Sequence, residues 1–108
     1  VNLLEQYRKL SELFDEVLSL SNMILFELER GAEDERLEAL IRRKDQAGKR
    51  IEKLTHETSS AGSDIDRESN LRMLAEIKPF LKQIERQTSL LEAVEARIQK
   101  LVKQKKED

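Results

Sequence analysis

Apolar side chains recur along residues 2–30 with the spacing of a helix packed against a neighbour. Leu3, Tyr7, Leu10, Phe14, Val17, Ser21, Ile24 and Leu28 follow in steps of 4, 3, 4, 3, 4, 3 and 4, an unbroken heptad seam. Leu4, Leu18 and Leu25 lie along one flank of the seam, and Leu13 and Leu20 along the other. A two-stranded rod needs only the seam. The flanks widen the apolar face enough for more than one neighbour.

Residues 34–58 form a second helical stretch, poorer in oil. Within LEALIRRKDQAGKRIEKL, residues 37–54, Leu37, Leu40, Ala47, Ile51 and Leu54 keep helical spacing, but Lys44 occupies a seam position and Gly48 follows Ala47. The Lys44 stem can lie along the seam with its ammonium in water. Alternatively, the ammonium meets a carboxylate of a neighbouring helix, with Asp15, Glu16 and Glu85 as candidates. Gly48 costs about 1 kcal/mol against Ala inside a helix, which suits a place where another helix comes close.

The third stretch, 65–105, carries Leu74, Ile77, Leu81, Ile84, Thr88, Leu91, Val94, Ile98 and Leu101, with one short step after Leu91. Pro79 lies inside it and removes a backbone donor, so a kink near Glu76–Pro79, or a break leaving 65–77 as a separate helix, is expected. Two breaks separate the three stretches. Gly31 suits the position just past a helix C-terminus, and Glu33, Asp34 and Glu35 put negative charge at the next helix's start. The loop 59–64 is rich in Ser and Gly, with Ser63 or Asp64 as the next cap. Helices 2–30, 34–58 and 65–105 would be about 43, 37 and 60 Å long. Joined by short connections, they form one all-α domain, an antiparallel three-helix bundle or coiled coil.

Composition sharpens this picture. The chain of 108 residues is 39% charged, far above ordinary globular usage, as in long helices packed along narrow seams. Its net charge is −2, with 20 basic and 22 acidic residues interleaved, which argues against nucleic acid and against a helix lying on a membrane. No apolar run approaches the length of a membrane span. The amino end, VNLLEQYRKL, lacks a signal-peptide layout, and its missing Met leaves room for a longer precursor. The absence of Cys fits the cytosol and removes disulfides and thiolate metal sites. His56 is the only histidine and has no second ligand to make a zinc site. The acids at Glu27, Glu29, Glu33, Asp34 and Glu35 lack the alternation and central Gly of a calcium loop. No phosphate loop or nucleophile motif is present, so neither cofactor nor enzymatic activity is expected.

The run Leu37, Leu40, Lys44, Ile51, Leu54 resembles the middle of the FlgN/FliT-like flagellar export chaperones, which show a Leu-x-x-Leu-x-x-x-Lys run in their second helix. The last helix, with IERQTSLLEAVEARIQKLV over residues 84–102, is similar in layout; where much of the family has paired Asn, this chain has Gln87-Thr88. The resemblance implies a small non-enzymatic chaperone of the bacterial cytoplasm. It would bind the carboxy-terminal helical segment of a hook–filament junction or filament-cap protein and prevent premature assembly. An amphipathic segment of that kind docks through anchors at i, i+3, i+4 and i+7. The surplus apolar face nominates Leu18, Leu25, Ile84, Leu91, Val94, Ile98 and Leu101 as partner-binding residues; as core of the bundle or of a homodimer they would read the same way. The alternative functions are a structural or oligomerising coiled-coil module of a larger protein, and a different helical chaperone built on the plan of tubulin-folding cofactor A.

Overall fold

The computed structural model describes residues 3–31, 33–61 and 67–107, with side chains described for all but 59–61, 67–70, 73 and 105–107 of these. They form three α-helices: α1 (Leu3–Arg30), α2 (Asp34–Ala61) and α3 (Arg67–Glu107). The fold is an all-α three-helix bundle, 59 × 21 × 18 Å. Its long axis is the length of α3, whose 41 residues at about 1.5 Å each span about 60 Å.

The first turn is built as its residues require. Gly31 adopts a φ of 71°, the left-handed region open to glycine. Its N–H donates to the Leu28 carbonyl at 3.2 Å and closes α1. The Glu33 carbonyl then accepts the first helical bond of α2, from Leu37 N–H at 3.4 Å, and Asp34 and Glu35 fill the first turn. At its far end α2 runs three residues past the expected 58, to Ala61. The caps expected at Ser63 and Asp64 lie outside the described residues.

α1 is the axis of the structure. Both α2 and α3 pack along it, and they approach each other much less closely. Antiparallel pairing with α2 brings Leu20 and Ile24 against Leu37 and Leu40, and Leu28 and Ile98 pack on this cluster. α3 runs parallel to α1: Gln87 reaches Ser11 and Asp15, and further along Arg97 faces Glu29. Of the expected seam, Leu3, Leu10, Val17, Ser21 and Ile24 are buried, but so is the flank residue Leu20, at 2% exposure the most buried of the leucines. A helix wedged between two others buries its flanks as deeply as its seam.

Two expectations for α3 are corrected. The backbone stays helical from Arg67 through Pro79, so among the described residues the expected break into a separate helix does not occur. Pro79 and Ala75, whose carbonyl loses its donor, both face solvent, where water can satisfy that carbonyl. Ile77 is buried and Phe80 half-buried, which anchors the helix on either side. In addition, Leu74 and Leu81 do not belong to the core: Leu74 is 55% exposed and Leu81 37%. With Gln87 level with Ser11 and the two helices parallel, the first turns of α3 pass beyond the start of α1.

Polar groups enter the interior at a few points. Thr58 and Thr88 bond back to the Leu54 and Ile84 carbonyls, at 2.7 and 2.8 Å. Ser21 is fully buried, and its Oγ has no hydrogen-bond partner. An unmet buried hydroxyl costs about 1–3 kcal/mol, and Ala also has the better helix propensity. Ser21→Ala should therefore raise unfolding stability by about 1 kcal/mol in urea titrations. Pro79→Ala restores a helical donor at an exposed site and should add up to about 3 kcal/mol by the same measurement. An unchanged midpoint for either variant would contradict the packing described.

Candidate helix-binding surface

Several open depressions border α1, and three of them carry exposed large apolar residues. The first lies on the outer side of α1, against the start of α2. It has a volume of about 640 Å³ and is lined by Leu18, Met23, Phe26 and Leu40 with Glu27 and Arg36 among its polar residues. The second, of about 510 Å³, shares Asp15 and Leu18 with the first and continues towards Lys82, Arg86, Gln87 and Leu90 of α3. The two form one oblique trough across the outer face. The third, of about 560 Å³, lies between α2 and α3, with Val17, Ile41, Gly48 and Leu91 in its lining.

The outer trough carries three exposed large apolar side chains, Met23, Phe26 and Leu90. Phe26 is 57% exposed and Met23 42%, and the two lie together in the lining of the first depression, where a contiguous apolar patch marks a docking surface. Arg30 stacks over the Phe26 ring, 5.6 Å from its centre, and is the one cation placed against an aromatic face among the described residues. The floor is stiffened from beneath. Gln87 is buried, and its Nε2 donates both to the Ser11 carbonyl at 3.1 Å and to the Asp15 carboxylate, tying α3 to α1. Glu27 is buried near the end of α1; one of its oxygens lies 3.4 Å from Arg36 Nε, and the other is sealed from solvent without a partner.

The α2–α3 cleft settles the place of Lys44. Its ammonium lies 2.8 Å from a Glu95 carboxylate oxygen on α3, so the residue bridges helices. The carboxylates anticipated for it, Asp15, Glu16 and Glu85, are not its partners. A Cβ added at Gly48 would meet nothing within 4 Å. No close approach within this chain therefore requires glycine there.

The seven nominated residues do not share one groove. Leu18 lines both halves of the outer trough. Leu91 lines the cleft between α2 and α3. Ile98 is committed to the Leu20–Ile24–Leu37–Leu40 cluster. Leu25, Ile84, Val94 and Leu101 are half-buried and line none of the three depressions. A reading confined to heptads passed over Met23, Phe26, Leu40 as a wall and Leu90. Met23 and Phe26 fall off every seam, and that displacement was the available signal.

Among the described residues no group of three or more His, Asp or Glu could hold a metal ion. His56 is exposed on α2. The clearest electrostatic perturbation is remote, where hydrogen bonding to Arg8 holds the exposed Glu5 carboxyl below its usual range. No described helix is long and apolar enough to cross a membrane. Compared with protein-family models, curated proteins and solved structures, the chain matches none.

The Lys44–Glu95 bridge is partly exposed, at 24% and 43% for its two side chains, so water screens it. A double-mutant cycle with Lys44→Met and Glu95→Gln should give a coupling of about 0.5–1 kcal/mol that shrinks with added salt. Zero coupling at low salt would mean that the pair does not help to hold α2 and α3 in register.

Proposed function

We propose that this chain is a non-catalytic helix-binding module, acting as a chaperone for an amphipathic segment of another protein. The uncovered apolar strip on the outer face of α1, centred on Phe26 and Met23, carries this reading. The strip offers a single guest helix anchors about one turn apart, which suits recognition at i, i+3, i+4 and i+7. Ordering a flexible guest offsets part of the gain from burial, so binding is moderate and reversible, as a carrier requires. The resemblance of residues 37–54 and 84–102 to FlgN/FliT-like proteins makes the proposal more specific. The guest is then the carboxy-terminal helix of a hook–filament junction or filament-cap protein, held unassembled in the bacterial cytoplasm until export.

A second reading, an oligomerising coiled-coil module, is favoured by one observation. Leu71, 65% exposed, and Leu74 form an apolar edge where α3 outruns α1. Calorimetry with carboxy-terminal peptides of filament-cap and junction proteins separates the two. Binding with a negative heat-capacity change, weakened about tenfold or more by Phe26→Ser, is expected of the chaperone. No heat with any such peptide, together with a stable self-dimer sensitive to Leu71→Ser and Leu74→Ser, would refute it in favour of the oligomerising module.

A further inference from the structure

The charges flanking the outer trough are not balanced. Lys78, Lys82 and Arg86 follow one another at i, i+4 and i+8 on α3, and all three are exposed. Like charges at this spacing repel and weaken a helix. Neither Lys82 nor Arg86 has an ion-pair partner among the described residues, and both line the trough. Across the strip stands Arg36 of α2, 65% exposed. The lining holds two carboxylates against the three cations Arg36, Lys82 and Arg86: Glu27 is buried and paired with Arg36, and Asp15 accepts from the neutral Gln87 amide and keeps its charge. One positive charge is left over in the lining, and the cations without an ion-pair partner, Lys82 and Arg86, stand on the α3 side, beside Leu18 and Leu90.

We infer that the segment seated on the outer face of α1 is an acidic amphipathic helix, its apolar stripe on Leu18, Met23 and Phe26 and its carboxylates facing Lys82 and Arg86. This rests on the helix-binding reading above and names the chemistry of the guest. From Asp15 to Phe26 the strip is about 16 Å long, room for about three turns. A basic guest would set like charges against Lys82 and Arg86, and that juxtaposition opposes docking. An acidic guest removes the repulsion within the Lys78–Lys82–Arg86 row as it binds.

Two fluorescent peptides of about eighteen residues, or five turns, test the inference. They share one leucine stripe and differ only in carrying Glu or Lys at the flanking positions. Fluorescence anisotropy is measured with the wild-type chain, with Phe26→Ser and with Lys82→Glu/Arg86→Glu, all at exposed sites and all checked for helicity by circular dichroism. The Glu peptide should bind at least about tenfold more tightly than the Lys peptide, and added salt should erode the difference. Phe26→Ser should weaken it, and the double reversal should invert the preference. Preference of the wild type for the Lys peptide, still weakened by Phe26→Ser, overturns the acidic guest and leaves helix binding intact. Binding of neither peptide removes both. Self-association abolished by Phe26→Ser assigns this face to a second copy and overturns the inference.

Discussion

The structure depends on a single helix being apolar over most of its girth. α1 buries Leu20 and Ile24 against Leu37 and Leu40 of α2, and the same cluster receives Ile98 of α3. α2 and α3 approach each other much less closely than either approaches α1, so most of their packing runs through α1. Burial of a large aliphatic side chain contributes about 1.5–3 kcal/mol, and Leu3, Leu10 and Val17 extend this buried stripe along α1. The surface features follow from the same constraint. Two helices cannot surround a third, and the part of α1 that they leave open is the strip bearing Met23 and Phe26.

Electrostatic and polar contacts set register where oil does not. α2 is poor in apolar residues, and at its middle Lys44 takes the place of a hydrophobic side chain. The Glu95 carboxylate fixes its position relative to α3 across a cleft that has little apolar packing to do so. Eight residues earlier on α3, Gln87 fills a buried position and spends its donors on the Ser11 carbonyl and the Asp15 carboxylate. A buried amide so placed resists sliding by a turn, because any shift would leave those donors without acceptors. The two contacts tie α3 to α1 and to α2.

Much of this was legible in the chain itself. The heptads of α1, Gly31 and the acids after it located two helices and their turn almost to the residue, because backbone sterics and the helix dipole act locally. The width of the apolar face of α1 foretold two neighbours. The residues misread were those whose fate depends on distance. Leu74 continues a good seam, yet α1 does not reach far enough to cover it; Leu81 lies alongside α1 but is left partly exposed. Of the kink or break expected at Pro79, the break does not form: Ala75 and Pro79 are exposed to water, and Ile77 and Phe80 hold the helix on either side. The candidate site was the least legible part, since its members come from three helices. Leu18 was nominated; Phe26, Leu90 and the basic row on α3 acquire meaning only once α3 is laid beside α1.

The Gly31 turn also divides assembly of the molecule into two unequal events. α1 and α2 meet through contacts that begin at the turn and zip outward, so each closes a short loop and loses little chain entropy. The parallel pairing of α1 with α3 has no such local start: Ser11 and Gln87 are 76 positions apart, with the whole of α2 between them. Contacts of that separation form late and slowly. As the chain leaves the ribosome, the hairpin is complete while the α3 side of its first helix is still bare, and this interval is when an unrelated greasy segment could occupy the place reserved for the chain's own last third.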